Sequence, residues 1–272
     1  VFVVRNHVDY STGNLTFVGD VVVNGDVKSG FRIKAKGDIQ INGVLEDAVV
    51  ECDGSVLVKK GFIGKGHGII IARGEVILTF CENERVVADG DVSISSYVIN
   101  STIETRGSII AATNKGVIVG GSYYAVRNIE AKTVGSEHGT PTRLSAGVDM
   151  VTRAHLVFSE NRIGQIDRLL LKHTRRRLVK KELPDGVKAL LRKLNELKEN
   201  MEEEQAGLLK ALDAMDEQAE DFKRGIVKII DSVHPGTNIT IYNQQITVQD
   251  VRSRVQYRYT DEGVTDFELT DS

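Results

Sequence analysis

The sequence contains no Trp, 3 Pro, 3 Met and 2 Cys in 272 residues, and it has no run of 18 apolar residues. Cys52 and Cys81 are too few for a disulfide framework, and neither lies in a Cys-x-x-Cys or Cys/His cluster of metal-ligand spacing. A reducing, cytoplasmic setting is therefore expected, with no metal site. Without a long apolar run or a signal peptide, nothing is expected to span or target a membrane. The 35 basic and 38 acidic residues give a net charge of −3, which supplies no global pull toward nucleic acid or anionic lipid. The first residue is Val1 rather than Met, so a longer native chain is expected.

What is abundant is glycine, 26 residues of it, together with Val and Ile, a composition suited to many short strands joined by tight turns. Six glycines keep time: Gly19, Gly37, Gly54, Gly74, Gly90 and Gly107, spaced by 18, 17, 20, 16 and 17 residues. A small or acidic residue follows each one: Asp20, Asp38, Ser55, Glu75, Asp91 and Ser108. Alternate residues of a strand share a face, so the positions two and four residues either side of each glycine test the register. Of these 24 positions 23 are apolar, Thr105 being the exception, whereas only 7 of the 24 interleaved positions are. That contrast predicts a solenoid in which each coil lays its apolar residues over the same set in the next coil. A second glycine at Gly25, Gly43 and Gly61 marks another corner, and the bends are expected to use glycine for its backbone freedom. The period does not fix the handedness. Beyond Gly107 the pattern loosens: 116–121 and 128–131 read as one or two further coils, and 143–148 as a final strand.

At Asp149, a natural N-cap, the period changes to that of a helix. One row runs Leu156, Ser159, Ile163, Ile166, Leu170 and His173; after a Pro184-Asp185-Gly186 turn a second runs Leu194, Met201, Leu208, Met215 and Phe222, with Leu190 and Leu197 beside it. Two arms of about 35 residues, roughly 50 Å each, fit an antiparallel coiled-coil hairpin. Strand alternation resumes at Ile226, and these strands are expected to rejoin the solenoid or cover its open end.

Little in the chain points to chemistry. Gly61–Gly68 looks like a phosphate loop, yet no Gly-Lys-Ser/Thr follows and no helix begins there, so an enlarged turn is the reading. His7, His67, His138, His155, His173 and His234 are scattered without ligand spacing. Asp20, Asp38, Glu75 and Asp91 recur one coil apart, as acids on a β-helix carbohydrate enzyme would, but their place beside a corner glycine favours turn formation. Nothing assembles a nucleophile, a base and an oxyanion donor. The outward positions Val22, Gln40, Leu57, Ile77, Ser93 and Ile110 form a largely apolar stripe, for which cover by the C-terminal segment is the simplest expectation. Between Lys172 and Lys193 lie nine basic residues against Glu182 and Asp185, a net of +7 at the hairpin tip. A solvated helix surface is the plain reading; a docking site for an acidic protein, anionic lipid or nucleic acid is the functional one.

The coils Gly19-Asp20-Val21-Val22-Val23-Asn24-Gly25 and Ala35-Lys36-Gly37-Asp38-Ile39-Gln40-Ile41-Asn42-Gly43, the Gly61–Gly66 turn and the hairpin together resemble the flagellar assembly protein A (FapA) family. The resemblance covers nearly the whole chain, including Val148-Asp149 leading into the helices and His234-Pro235-Gly236 leading back to strands. It implies a right-handed β-helix, an additional N-terminal domain, and a role in flagellation or in placing the flagellum at the cell pole. No catalytic residues come with the family, so none are carried over.

The expectation is thus a mainly β chain: a right-handed parallel β-helix over 1–148, an inserted long antiparallel α-helical coiled-coil hairpin over 149–225, and C-terminal strands over 226–272. The expected role is a non-enzymatic, cytoplasmic scaffold, without cofactor or small-molecule substrate, at the cell pole. Protein partners would dock on Arg175, Arg176, Arg177, Lys180, Lys181, Arg192 and Lys193, nucleic acid and membrane are not expected, and a homo-oligomer is open. The alternatives are a bactofilin-like polymer-forming scaffold and, behind it, a β-helix carbohydrate-active enzyme.

Overall fold

The computed structural model describes residues 1–151, 163–164, 166–168, 170, 185–217 and 222–269. The chain divides into two compact units, Val1–Val151 with Glu220–Ser272, and Thr152–Ala219.

The first unit is a β-solenoid built from two parallel walls. One wall begins with β1 (Phe2–Val4), β3 (Val21–Val23), β5 (Ile39–Ile41), β8 (Val56–Ile63) and β10 (Val76–Glu82). It continues through β12 (Val92–Ile99), β14 (Ile109–Ala111), β17 (Ile129–Val134) and β19 (Ile226–Val233). The other begins with β2 (Leu15–Phe17), β4 (Arg32–Ala35), β7 (Val49–Cys52), β9 (Ile69–Ala72) and β11 (Arg85–Ala88). It continues through β13 (Thr102–Thr105), β16 (Gly121–Ala125), β18 (Thr142–Ala146) and β20 (Thr237–Ile241). Pairing joins equivalent residues of successive coils, so Val21, Ile39, Val56, Val76, Val92, Ile109, Ile129 and Val227 form one unbroken column. All eight are buried, as are 22 of the 24 positions the glycine register marks; only Leu15 and Phe17, in the first coil, are half-buried.

A third column, not anticipated as a wall, completes each coil. Long strands such as β10 shift register between Leu78 and Phe80 and run on, and the short strands β6 (Leu45–Glu46) and β15 (Val117–Val119) join them. The column runs Val8, Val27, Leu45, Phe62, Cys81, Val98, Ile118, Val134 and Val233, each wholly buried.

The corners give the physical reason for the glycines, and it is not the expected one. None of Gly19, Gly37, Gly54, Gly74, Gly90 or Gly107 has a positive φ. What excludes a side chain is the coil beneath: a Cβ on Gly37 would collide with Asp20 Oδ1 and lie 2.8 Å from Asp20 N and 2.9 Å from Gly19 C, both backbone. That space holds a hydrogen bond, since Asp20 Oδ1 accepts from Asp38 N at 3.0 Å and Asp38 Oδ1 accepts from Ser55 N at 2.8 Å. Ser55 Oγ accepts from Glu75 N at 3.1 Å, Asp91 Oδ1 from Ser108 N at 2.7 Å, and Asn128 Oδ1 from Ile226 N at 3.2 Å. The second corner repeats the device with Asp26 Oδ1 accepting from Val44 N at 2.9 Å. Each buried Val or Ile contributes about 1.5–3 kcal/mol, against about 0.5–1.5 kcal/mol for a hydrogen bond. The apolar columns therefore drive stacking, and the corner bonds set which residue sits over which.

Two expectations on layout are corrected. β18 is not the final strand, because β19 and β20 add one more parallel coil after the helical segment. The solenoid is consequently discontinuous in sequence, with the strands after Ile226 rejoining it, and Met150 and Val151 are helical. The C-terminal residues do not cover the outward stripe. They extend the walls edge to edge as antiparallel strands: β21 (Gln244–Thr247) on β20, β22 (Arg252–Thr260) on β19, and β23 (Gly263–Glu268) on β22. Tyr257 and Val255 of β22 join the core of the last coil.

In the second unit one helix is described, α1 (Asp185–Glu217), 33 residues long. Its Met201 is buried and Leu194 half-buried, while Leu190 and Leu197 remain exposed at 48% and 42%. Within the same unit Lys198 Nζ pairs with Asp167 Oδ1 at 2.7 Å, and Ile166 is buried. Most of the expected first arm, Leu156, Ser159 and His173 included, lies outside the described residues.

Gly37→Ala is expected to lower the unfolding free energy by about 2–4 kcal/mol, combining overpacking with loss of the corner bond, whereas Asp20→Ala costs about 1 kcal/mol. Urea titration followed by far-ultraviolet circular dichroism measures both; equal effects would show that the coils are not in close contact at this corner.

Candidate functional site

Of the acids that recur one coil apart, Asp20, Asp38 and Asp91 take part in the stack, and Glu75 is exposed. Asp20, Asp38 and Asp91 each accept a backbone N–H from the next coil. Outward ion pairs likewise link coils: Lys28–Glu46 at 2.7 Å, Lys34–Glu51, Arg85–Glu104 at 2.8 Å and Arg106–Asp89 at 2.7 Å. Arg106 also reaches Asp149 Oδ2 at 3.3 Å, holding the residue that precedes the helical turn. The exposed pairs, Lys28–Glu46 and Lys34–Glu51, are each worth no more than about 1 kcal/mol, whereas Glu104 and Asp149 are buried; together the pairs tie one coil to the next.

The phosphate-loop lookalike is an enlarged turn whose amides already hold anions, and those anions are the chain's own. Asp47, in the coil below, accepts from Lys65 N and His67 N through its two oxygens, each at 3.0 Å. Glu84, in the coil above and 2% exposed, accepts from Gly68 N at 2.8 Å through Oε2. The carboxylates meet beneath the turn, where a Cβ on Gly64 would collide with Glu84 Oε1 and lie 2.5 Å from Asp47 Oδ1. Burial and the neighbouring Asp47 push the Glu84 carboxyl up to about 7, while burial of Asp47 is outweighed by hydrogen bonds from Glu84, Lys65 and His67, which hold it low. Sequence reasoning missed this pair; the available signal was Asp47 and Glu84 flanking the one 20-residue step.

The predicted partner-binding residues fall into two groups. Arg175, Arg176, Arg177, Lys180 and Lys181 lie outside the described residues. Arg192 and Lys193 are on α1 and exposed, adjacent in sequence near its N-terminal end. Of the histidines, His7 Nδ1 accepts from Asp26 N at 2.9 Å, His67 and His138 are exposed, and His234 is half-buried with Nδ1 sealed from solvent and without a partner. His155 and His173 lie outside the described residues. Among the described residues no group of three His, Cys, Asp or Glu could hold a metal ion, and no helix is long and apolar enough to cross a membrane.

The two ends of the solenoid differ. At the C-terminal end the walls continue as the antiparallel strands β21 to β23, with β21 and β23 as the edge strands. At the other end β1 and β2 have no second strand neighbour among the described residues, and Val1, Phe2, Val3, Tyr10 and Val18 are exposed there. Along the outward stripe Ile77 is 44% exposed and Val22, Leu57 and Ile110 are half-buried.

A family model described as the Flagellar Assembly Protein A beta solenoid domain matches residues 1–264. No curated protein and no solved structure matches the chain.

Burial pushes the Cys52 thiol up to about 11 and the Cys81 thiol up to about 12. Neither is expected to react with a water-soluble disulfide reagent at pH 8 in the native protein, and both react after unfolding. Fast labelling of Cys81 in the native state would show that the third column is open.

Proposed function

The chain belongs to the Flagellar Assembly Protein A β-solenoid family, and from that premise we propose that it is a non-enzymatic scaffold that binds other proteins during flagellar assembly or polar placement of the flagellum. In this reading the solenoid coils to the right, the second unit is a long antiparallel coiled-coil hairpin, and the protein works in the cytoplasm without cofactor or small-molecule substrate. The observation that carries it is where the polar groups point. The corner acids face along the stack and hold the neighbouring coil, which leaves recognition to the helical unit, where Arg192 and Lys193 stand exposed. Together with Arg175, Arg176, Arg177, Lys180 and Lys181 they make a basic tip suited to an acidic protein surface; a short cluster of this kind steers association in a salt-dependent way.

The polymer-forming reading needs two bare ends that stack without limit. At one of them the antiparallel β21 to β23 stand where a further parallel coil would stack, which favours a bounded oligomer.

Reversing Arg175, Arg176 and Arg177 to Glu is expected to weaken partner capture from the native host at least tenfold at low salt while leaving the thermal midpoint of the solenoid unchanged. Deleting 150–225 abolishes capture. Undiminished binding by both variants would remove the tip from the proposal. Static light scattering against concentration separates the polymer reading: a plateau at a small oligomer supports the scaffold, and continued growth contradicts it.

A further inference from the structure

We propose that Asp47 and Glu84 are a one-proton carboxylate pair that ties the enlarged turn 61–68 to the coils on either side of it, so that the turn is a proton-controlled element of the solenoid surface. The geometry is that of a closed clamp. The turn presents Lys65, His67 and Gly68 amides inward, Asp47 takes two of them from below, and Glu84 takes the third from above. A further bond from Asn83 Nδ2 to Gly64 O, 3.3 Å, fastens the outer side. Lys65, Gly66 and His67, the outermost residues, are exposed.

Glu84 Oε1 decides the protonation state. It is sealed from solvent, and no donor reaches it if both carboxyls are ionised. Protonated, it becomes the donor itself and bonds Asp47, satisfying both groups at once; two like charges at this separation, one of them sealed from solvent, are not both kept. The turn's amides favour negative charge, but they supply partners for only one of the Glu84 oxygens and the two of Asp47. Other charged groups around the pair do not replace the proton. Lys65 and His67 lie on the solvent side of the turn, Glu82 on β10 adds negative charge, Cys81 on β10 is a neutral thiol, and Arg85 on β11 is taken by Glu104 at 2.8 Å.

The linkage has a definite sign. With the turn open, Glu84 titrates as an ordinary glutamate near 4.5; with it closed, near 7. The raised carboxyl stabilises the closed turn fully below the lower value, and that stabilisation is lost as pH rises toward the upper one, after which the opening constant levels off. Opening would detach Lys65-Gly66-His67 from the wall, changing the local charge and shape of the solenoid flank without unstacking the columns.

The test is amide hydrogen exchange by NMR on the whole chain between pH 5 and 8.5, corrected for intrinsic exchange. In the wild type, protection of the His67 and Gly68 amides should fall by up to about tenfold per pH unit to pH 7 and then level off. Amides of β5 and β12 should keep constant protection. Glu84→Gln, which mimics the protonated side chain, should give protection independent of pH at the acid-limb level. A carbon-detected titration should place the Glu84 carboxyl near 7, and Asp47→Asn should lower that midpoint. A flat wild-type profile, or an ordinary Glu84 midpoint, overturns the proposal. So does a fall in the midpoint on adding calcium or sodium at constant ionic strength, because the pair would then be a cation site.

Discussion

The structure depends on one constraint: every coil must lie in van der Waals contact with the next along three apolar columns at once, while its backbone bonds the coil above and the coil below. Columns such as Val21 to Val227 and Val8 to Val233 need similar side chains at equivalent positions, since an oversized residue would lift a whole coil. The corners must be equally flat, and it is there that the glycines act. At Gly37 and Gly54 the Cβ is missing because the carboxylate of the preceding coil occupies its place and caps the next backbone amide. Glycine and acid are therefore two halves of one device, one making the space and the other filling it.

Much of this was legible because the device repeats. The alternation around Gly19 to Gly107 located two walls, and 22 of the 24 inward positions it marks are buried, since strand geometry leaves no other face for them. The third column was harder to read because it carries one inward residue per coil, as with Val27 and Leu45, too few for a period to emerge. The last coil was hidden by the helical segment, which puts nearly a hundred residues between Asn128 and its partner Ile226. The Asp47–Glu84 pair could not be read at all, because sequence supplies the acids but not the fact that a long turn folds between them. Of the basic run, Lys188, Arg192 and Lys193 are exposed residues of α1.

The same constraint shapes function. The stack uses recurring acids to hold neighbouring coils, and its surface carries ion pairs between coils and half-buried apolar residues. Such a body is stiff along its axis and changes readily only where a coil departs from the repeat. Among such departures are the inserted helical unit, on which Arg192 and Lys193 are exposed, and the enlarged turn held by Asp47 and Glu84.

The most direct measurement is of distance along the stack. With Cys52 and Cys81 replaced by alanine, spin labels on outward positions paired coil by coil, Gln40 with Ser93, Ile110 or Glu130 in turn, should give narrow distributions that lengthen by about 5 Å per coil. Gln40 to Glu130 spans five coil steps, so about 24 Å separates backbones that are 90 residues apart in sequence. Broad distributions, or distances that do not grow in equal steps, would contradict the continuous columns on which the fold and its proposed use both rest.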